Sequence, residues 1–154
     1  MTDIPPLKLR LGVRDDTPFL VDCNQAMAAE TEDKPLDRVT LRAGVRGVFG
    51  DPGRGFYLLA ERAGEPVACL LVTREWSDWR NGPFWWIQSV YVIPAARRQG
   101  VFRAMYADIE HRAREAGAVG LRLYVETENT RAQQTYERLG MQRCRYHMYE
   151  QTFV

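Results

Sequence analysis

The segment around Pro94 constrains the fold more than any other part of the chain. The strand-like run Phe84–Ile93 stops at Pro94, which cannot donate to a sheet ladder. The arginine-rich stretch Arg97–Arg103 follows, and from Gly100 the apolar residues take up helical spacing. A strand joined to a helix by so short a loop predicts free backbone N–H groups at the positive end of the helix dipole. The junction suits a pyrophosphate or another anion, although any arginine-rich strand, loop and helix would look alike.

The remaining periodicities predict a mixed α/β order without repeats or linkers, hence a single domain over residues 1–154 with a flexible tail at 1–6. In chain order we expect a strand at Lys8–Val13, a helix beginning at Asp15–Pro18, a helix at Leu36–Phe49, strands at Phe56–Arg62, Val67–Arg74 and Phe84–Ile93, a helix at Gly100–Ala116, a strand at Leu121–Val125, a helix at Arg131–Leu139 and a strand at Met141–Phe153.

Composition excludes several classes of protein. The apolar runs are far shorter than a membrane span, and a formal net charge of +1 gives no reason to expect a nucleic-acid partner. Three cysteines without CxxC spacing and only two histidines argue against a disulfide framework and against a metal centre. We therefore expect a cytoplasmic protein with no metal and no membrane contact.

A second constellation lies further along the chain. Asn129 stands where a helix N-cap belongs, and Tyr136 follows about two turns later on the same line of the helix. An amide and a phenol so placed can contact successive points of one extended ligand. A capping asparagine followed by a half-buried tyrosine is the alternative interpretation.

Together these segments resemble the GCN5-related N-acetyltransferase (GNAT) superfamily. The resemblance is carried by the run Val90–Val101 and by the later pattern Asn129-x-x-Ala132-x-x-x-Tyr136-x-x-x-Gly140-Met141. It implies a single α/β domain in which about four helices flank a central mixed, mostly antiparallel sheet of about six or seven strands. It also implies that the strands at Phe84–Ile93 and Val119–Glu126 splay apart and that acetyl-CoA lies between them.

By the same resemblance, two groups of residues bind acetyl-CoA. The first is Val90, Tyr91, Val92, Arg97, Arg98, Gln99, Gly100, Val101, Phe102 and Arg103, and the second is Asn129, Ala132 and Tyr136. Backbone groups of Val90 and Val92 would pair with the pantetheine arm, and Asn129 would contact it. Phe102 departs from the family pattern, which usually has Gly or Ala there, so the pyrophosphate loop is expected to be more crowded unless this side chain turns into the core.

The resemblance implies direct attack of a neutral amine on the thioester of acetyl-CoA. Tyr136 matches the tyrosine that protonates the departing thiolate, and a backbone N–H, that of Val92, would polarise the carbonyl. Many relatives have a glutamate as base where this chain has Gln88, and an amide cannot accept the proton. Glu126, or water leading to Glu30 or Glu32, could serve instead, but each carboxylate could equally be a solvated surface charge.

The acceptor is expected to be a primary amine of a small molecule or peptide. The resemblance places the acceptor wall near Glu30, Glu32, Trp79 and Gln88, where acids and tryptophans would suit a cationic amine. Solvated acids and core-filling tryptophans are the alternative there. The alternative function is a catalytically inactive acyl-CoA-binding module. A homodimer is left open, with Met141–Phe153 as the strand edge through which two copies could pair.

Overall fold

The computed structural model describes residues 3–154, which form two compact units divided between Leu123 and Tyr124. The first unit contains β1 (Leu7–Leu11), α1 (Thr17–Glu32), α2 (Arg38–Gly50), β2 (Phe56–Arg62), β3 (Glu65–Ser77), β4 (Gly82–Val92), α3 (Val101–Glu115) and β5 (Gly120–Arg122). The second contains α4 (Thr130–Arg138). Residues 1 and 2 of the expected tail lie outside the described residues, and Asp3–Pro6 are exposed and irregular.

The sheet has the order β1-β2-β3-β4-β5. Its first four strands pair antiparallel with their neighbours, and β5 pairs parallel to β4 after the crossover through α3. This confirms the predicted mixed α/β class with four helices, but the sheet of the described residues has five strands rather than six or seven.

Helices cover the sheet because its central strands are apolar on both faces. One core cluster joins α1 and α2 to the sheet through Leu20, Val21, Cys23, Val45, Tyr57, Leu59, Cys69 and Tyr91. Leu58 and Leu70, their strand neighbours, point the other way and are also completely buried. The helix α3 contacts β1, β2 and β4 and contributes Met105 and Ile109, both without exposed surface.

The helices of the first unit begin where capping chemistry predicts. Pro18 lies in the first turn of α1, as expected from the Asp15–Pro18 signal. The helix predicted at Leu36 begins instead at Arg38, because the Asp37 carboxylate accepts a 2.9 Å hydrogen bond from the Thr40 N–H and so caps it.

The prediction of a closing strand at Met141–Phe153 is wrong. No residue from 141 to 154 belongs to a strand or a helix in the structure. Alternation of apolar side chains makes a segment suitable for a sheet, but a strand also needs a neighbour that supplies backbone partners. None of the five strands in the part of the chain that the structure describes pairs with this segment. The strand predicted at Leu121–Val125 is shorter in the structure and begins one residue earlier, at Gly120–Arg122.

Candidate active site

The strand β4 has an open edge for half of its length. Its parallel pairing with β5 covers only the first part of the strand, ending where Trp86 meets Arg122. From Ile87 to Val92, β4 has no ladder partner on that side within residues 3–154. Backbone N–H and C=O groups on such an edge are available to an extended ligand, which can bind to them as another strand would.

A β-bulge interrupts β4 within this open stretch. Cys69 of β3 faces Tyr91 and Leu71 faces Gln88, so two residues of β4, Ser89 and Val90, lie opposite one residue of β3. Ser89 has a φ of 50°, a left-handed conformation that is uncommon for a residue with a side chain. A bulge turns backbone groups away from the regular ladder and is frequent beside binding sites. No periodicity in the sequence predicted it.

The loop from β4 to α3 is shaped like an anion-binding nest. Arg98 has a φ of 62° and Gly100 a φ of 75°, and no side chain caps the helix that follows. In an α-helix the first backbone N–H groups, here those of Val101 to Arg103, have no acceptor within the helix. Alternating left-handed residues and a free helix N-terminus together direct N–H groups toward one point, which favours a phosphate. The anion site predicted from the sequence falls on this loop.

The arginines of this loop are not equivalent. Arg97 is engaged by its own protein: Nε donates to the Val92 carbonyl at 2.9 Å, and Nη2 donates to Glu30 Oε2 at 2.8 Å. Arg98 and Arg103 are exposed and have no carboxylate within 4.0 Å among the described residues. Free guanidinium groups for a ligand are therefore those of Arg98 and Arg103.

Glu30 at the end of α1 is held on both carboxylate oxygens. The Tyr91 hydroxyl donates to Oε1 at 2.8 Å, while Arg97 occupies Oε2. The hydrogen bond from Tyr91 and the Arg97 charge lower the pKa of Glu30, whereas burial and the bond to Glu30 raise the pKa of Tyr91. A carboxylate stabilised in this way is a poor proton acceptor. Sequence reasoning missed this contact, because no local pattern joins residues so far apart in the chain.

Phe102, the residue that departs from the family pattern, has an aromatic neighbour on α3. Its side chain is half-buried, and its ring lies 6.2 Å from the ring of Tyr106, one turn further along α3. The Gln99 side chain is held by two hydrogen bonds within the protein. Its amide nitrogen donates to the Ala95 carbonyl at 3.1 Å, and its oxygen accepts from Arg62. Among the loop residues, Gly100 has no neighbouring atom within 4 Å of a hypothetical Cβ.

The predicted acceptor residues differ in their surroundings. Gln88 is half-buried and donates to the Thr73 hydroxyl from the neighbouring strand β3. Trp79 is 85% exposed in the turn between β3 and β4, and Trp76 is 65% exposed nearby, whereas Trp85 is buried. Trp79 and Trp76 therefore do not serve to fill the core. Glu32 is exposed at the end of α1.

The second unit contains the other predicted residues. The side chain of Asn129 caps α4, accepting a 3.1 Å hydrogen bond from the Ala132 N–H. Gln133 donates to the carbonyl oxygens of Glu126 and Thr127 and so ties the preceding loop to the helix. Burial raises the pKa of Tyr136, so its phenol is protonated near neutral pH and can donate a proton. Glu126 is exposed.

Two kinds of feature, a metal-binding cluster and a membrane-spanning helix, are not found in the described residues. Among the described residues, no group of three or more His, Cys, Asp or Glu side chains is placed to bind a metal ion. No helix in the same residues is long and apolar enough to cross a membrane.

Fold and site geometry together define a class: an α/β protein suited to an extended ligand that carries phosphate. The model of the acetyltransferase (GNAT) family matches residues 18–141, and the chain belongs to this family. No curated protein matches the chain.

Solved structures with the same fold include proteins at very different levels of identity. A possible acetyltransferase from Clostridium difficile 630 is 40% identical, with 99% of each chain covered and a TM-score of 0.90. An integron cassette protein from the mobile metagenome of Cole Harbour Salt Marsh is 19% identical, covers 95% of this chain and 90% of its own, and has a TM-score of 0.84. A predicted acetyltransferase with acetyl-CoA from Clostridium acetobutylicum is 15% identical, with 95% and 96% covered and a TM-score of 0.80. The last two support the fold alone.

Proposed function

We propose that this GNAT-family protein transfers the acetyl group of acetyl-CoA to a primary amine of a small molecule or peptide by direct attack. The observation that carries the proposal is the open, bulged edge of β4 leading directly into the anion-binding loop at Arg98 and Gly100. An extended arm ending in a pyrophosphate has the chemistry that such an edge and loop would bind. Acetyl-CoA would supply the activated thioester.

The residues of the first unit fit this ligand. The N–H groups from Arg98 to Arg103 would hold the pyrophosphate, with the guanidinium groups of Arg98 and Arg103 adding charge. Backbone groups of Val90 and Val92 would bind the pantetheine arm. Because Arg97 already occupies the Val92 carbonyl, the N–H of Val92 is the group we assign to the ligand, where it would polarise the thioester carbonyl.

Tyr136 is our candidate for the general acid. Its raised pKa keeps the phenol protonated at the pH of the cell, which an acid requires. The assignment rests on the match of its position to the family motif and on this protonation state. Asn129 and Ala132 belong to the same motif, and we propose that they contact the ligand.

We assign the base and the acceptor residues from the contacts and the exposure of each side chain. Glu30 is occupied by Tyr91 and Arg97, so we assign the base to the exposed Glu126, acting directly or through water. For the acceptor, Glu32 and the exposed Trp79 offer a carboxylate and an aromatic face, which suit a cationic amine. The buried free thiols of Cys23 and Cys69 fit the reducing cytoplasm, where we place the reaction.

The test is CoA release from acetyl-CoA with a panel of polyamines, aminoglycosides, amino acids and peptide N-termini. We expect saturable turnover with cationic amines and little with acidic ones. The amide at Gln88 favours one other function, a catalytically inactive acyl-CoA-binding module. Thermal stabilisation by acetyl-CoA without turnover on any amine would support that module and contradict the transferase. Stabilisation by neither acetyl-CoA nor CoA would contradict both.

A further inference from the structure

A cleft in the first unit lies apart from the open edge of β4. Its walls come from three places: the chain before β1, the hairpin of β2 and β3, and the turn that follows β4. Its volume is about 320 Å³. Sites for small molecules usually measure ~300–1,000 Å³, so this cleft is suited to a ligand of few atoms.

Backbone hydrogen bonds hold the walls of the cleft in place. Leu7, which follows the lining residues Ile4 and Pro5 closely, lies opposite Arg62 in the ladder of β1 and β2. The N–H of Ile93, just after β4, donates to the Val67 carbonyl of β3 at 2.9 Å. A ligand would therefore enter a site that is already formed, and little of its binding free energy would be used to order the protein.

Arg62 supplies the positive charge of the cleft. Its Nη1 donates to the side-chain oxygen of Gln99, and this is the one hydrogen bond that it makes within residues 3–154. Its Nε is buried and has no acceptor among the same residues. A buried N–H without a partner costs free energy, and a guanidinium binds a carboxylate best through two parallel N–H bonds. Nε and Nη2 are the pair of nitrogens available for such a contact.

The other lining residues determine which anion would fit. Ile4, Pro5, Val67 and Ile93 present apolar side chains, which would cover the hydrocarbon body of a ligand and remove it from water. Asp3 adds an exposed carboxylate, which offsets the charge of the guanidinium and disfavours a doubly charged phosphate. The lining thus favours a singly charged carboxylate that carries an apolar group.

We propose that this cleft binds a small monocarboxylate with an apolar body, whose oxygens accept hydrogen bonds from Nε and Nη2 of Arg62. The site differs from the one proposed for acetyl-CoA, because it uses neither the open edge of β4 nor the backbone N–H groups of the anion-binding nest. Gln99 is common to both, since its backbone belongs to the nest and its side chain accepts from Arg62. The proposal does not depend on the acetyltransferase reaction.

The test is a titration of the full chain with hexanoate, followed through the backbone amide shifts in two-dimensional NMR spectra. We expect a dissociation constant of about 1 mM, with the largest shifts at the cleft residues Ile4, Arg62, Val67 and Ala96. Hexanol has the same carbon chain without the charge, and inorganic phosphate has the charge without the chain. Each should bind at least roughly tenfold more weakly than hexanoate.

Two variants test the cleft itself. Arg62→Met removes the guanidinium but keeps an apolar stem, and it should weaken hexanoate binding roughly tenfold or more. The matched control Arg42→Met, at an exposed arginine of α2, should leave the dissociation constant unchanged. Ala95→Phe places a ring in the cleft from an exposed position and should also weaken binding at least roughly tenfold. It provides the test if Arg62→Met does not fold.

The opposite results overturn the proposal. No saturable shift with hexanoate at about 10 mM would exclude the site. Shifts confined to Val92 and Gly100 would mean that the carboxylate occupies the anion-binding nest instead. Equal affinity for hexanol would remove Arg62 from the site, as would wild-type affinity in Arg62→Met or an equal loss in Arg42→Met. Wild-type affinity in Ala95→Phe would mean that hexanoate binds outside the cleft.

Discussion

Arg97 and Glu30 form an ion pair, 2.8 Å between Nη2 and Oε2, that fixes the start of the loop between β4 and α3 to the end of α1. Arg97 also stacks over Tyr91, with the guanidinium carbon 5.4 Å from the ring centroid, and donates to the Val92 carbonyl. Arg97 thus connects three elements: the open edge of β4, the end of α1 and the loop that follows β4. Its charge is used to position these elements.

Glu30→Gln separates positioning from proton transfer. With one partner of Arg97 neutralised, we expect a several-fold rise in the KM for acetyl-CoA and a kcat within about threefold of wild type. Loss of a general base would instead lower kcat by roughly 100-fold or more. Steady-state kinetics measure both constants, and Glu65→Gln, exposed at the start of β3, is the control. A large fall in kcat with unchanged KM would restore Glu30 as the base.

Tyr136→Phe tests the general acid. Removal of the phenol should lower kcat by roughly 100-fold while acetyl-CoA still binds and stabilises the protein against heat. Since burial raises the pKa of Tyr136, any loss of activity from its ionisation should occur only at strongly alkaline pH. The control Tyr146→Phe, at an exposed tyrosine, should retain activity. Equal kcat values for wild type and Tyr136→Phe would remove Tyr136 from this role.

Gly100→Ala tests the left-handed backbone of the loop. No atom lies near the added methyl group, so the cost comes from the φ of 75° alone and should be about 1 kcal/mol of unfolding free energy. Affinity for acetyl-CoA should fall as well, because the N–H groups of the nest lose their alignment. Denaturant titration and calorimetric binding measure the two effects. Gly44→Ala in α2, also without neighbouring atoms, should stabilise the protein slightly.

Asp16→Asn tests the ion pair beneath the start of α1. Asp16 accepts two hydrogen bonds of 2.8 Å from Arg10 and one from the Val13 N–H, and these hydrogen bonds lower its pKa. Its side chain is only 10% exposed, so the variant should lose about 2 kcal/mol of unfolding free energy at pH 7.

The same residue gives a pH dependence with a definite sign. A folded pKa below the unfolded value of about 3.9 contributes stability above that value, and the contribution is lost as the pH falls through the folded pKa. The difference in unfolding free energy between wild type and Asp16→Asn should therefore shrink below about pH 4. A difference that stays constant down to pH 2 would contradict the pairing.

Sequence patterns predicted most elements because local chemistry decides them. Pro18 and Asn129 mark helix starts through their own backbone and capping groups, and the apolar spacing within α3 requires no knowledge of its partner. Features that depend on distant residues were not predictable: the bond between Glu30 and Tyr91, the bulge at Ser89 and the missing ladder beyond Met141. Each is determined by what lies beside the chain in space, and sequence spacing carries no signal for that.

The bulge at Ser89 also changes which way every later side chain of β4 faces. Gln88 and Tyr91 lie opposite Leu71 and Cys69, so both point to one face of the sheet although three positions separate them. Removal of one residue here would invert the pattern downstream, turning Tyr91 away from Glu30 and out of the core. The length of this strand is therefore under stricter constraint than the identity of Ser89, and single-residue deletions should be far less tolerated than substitutions.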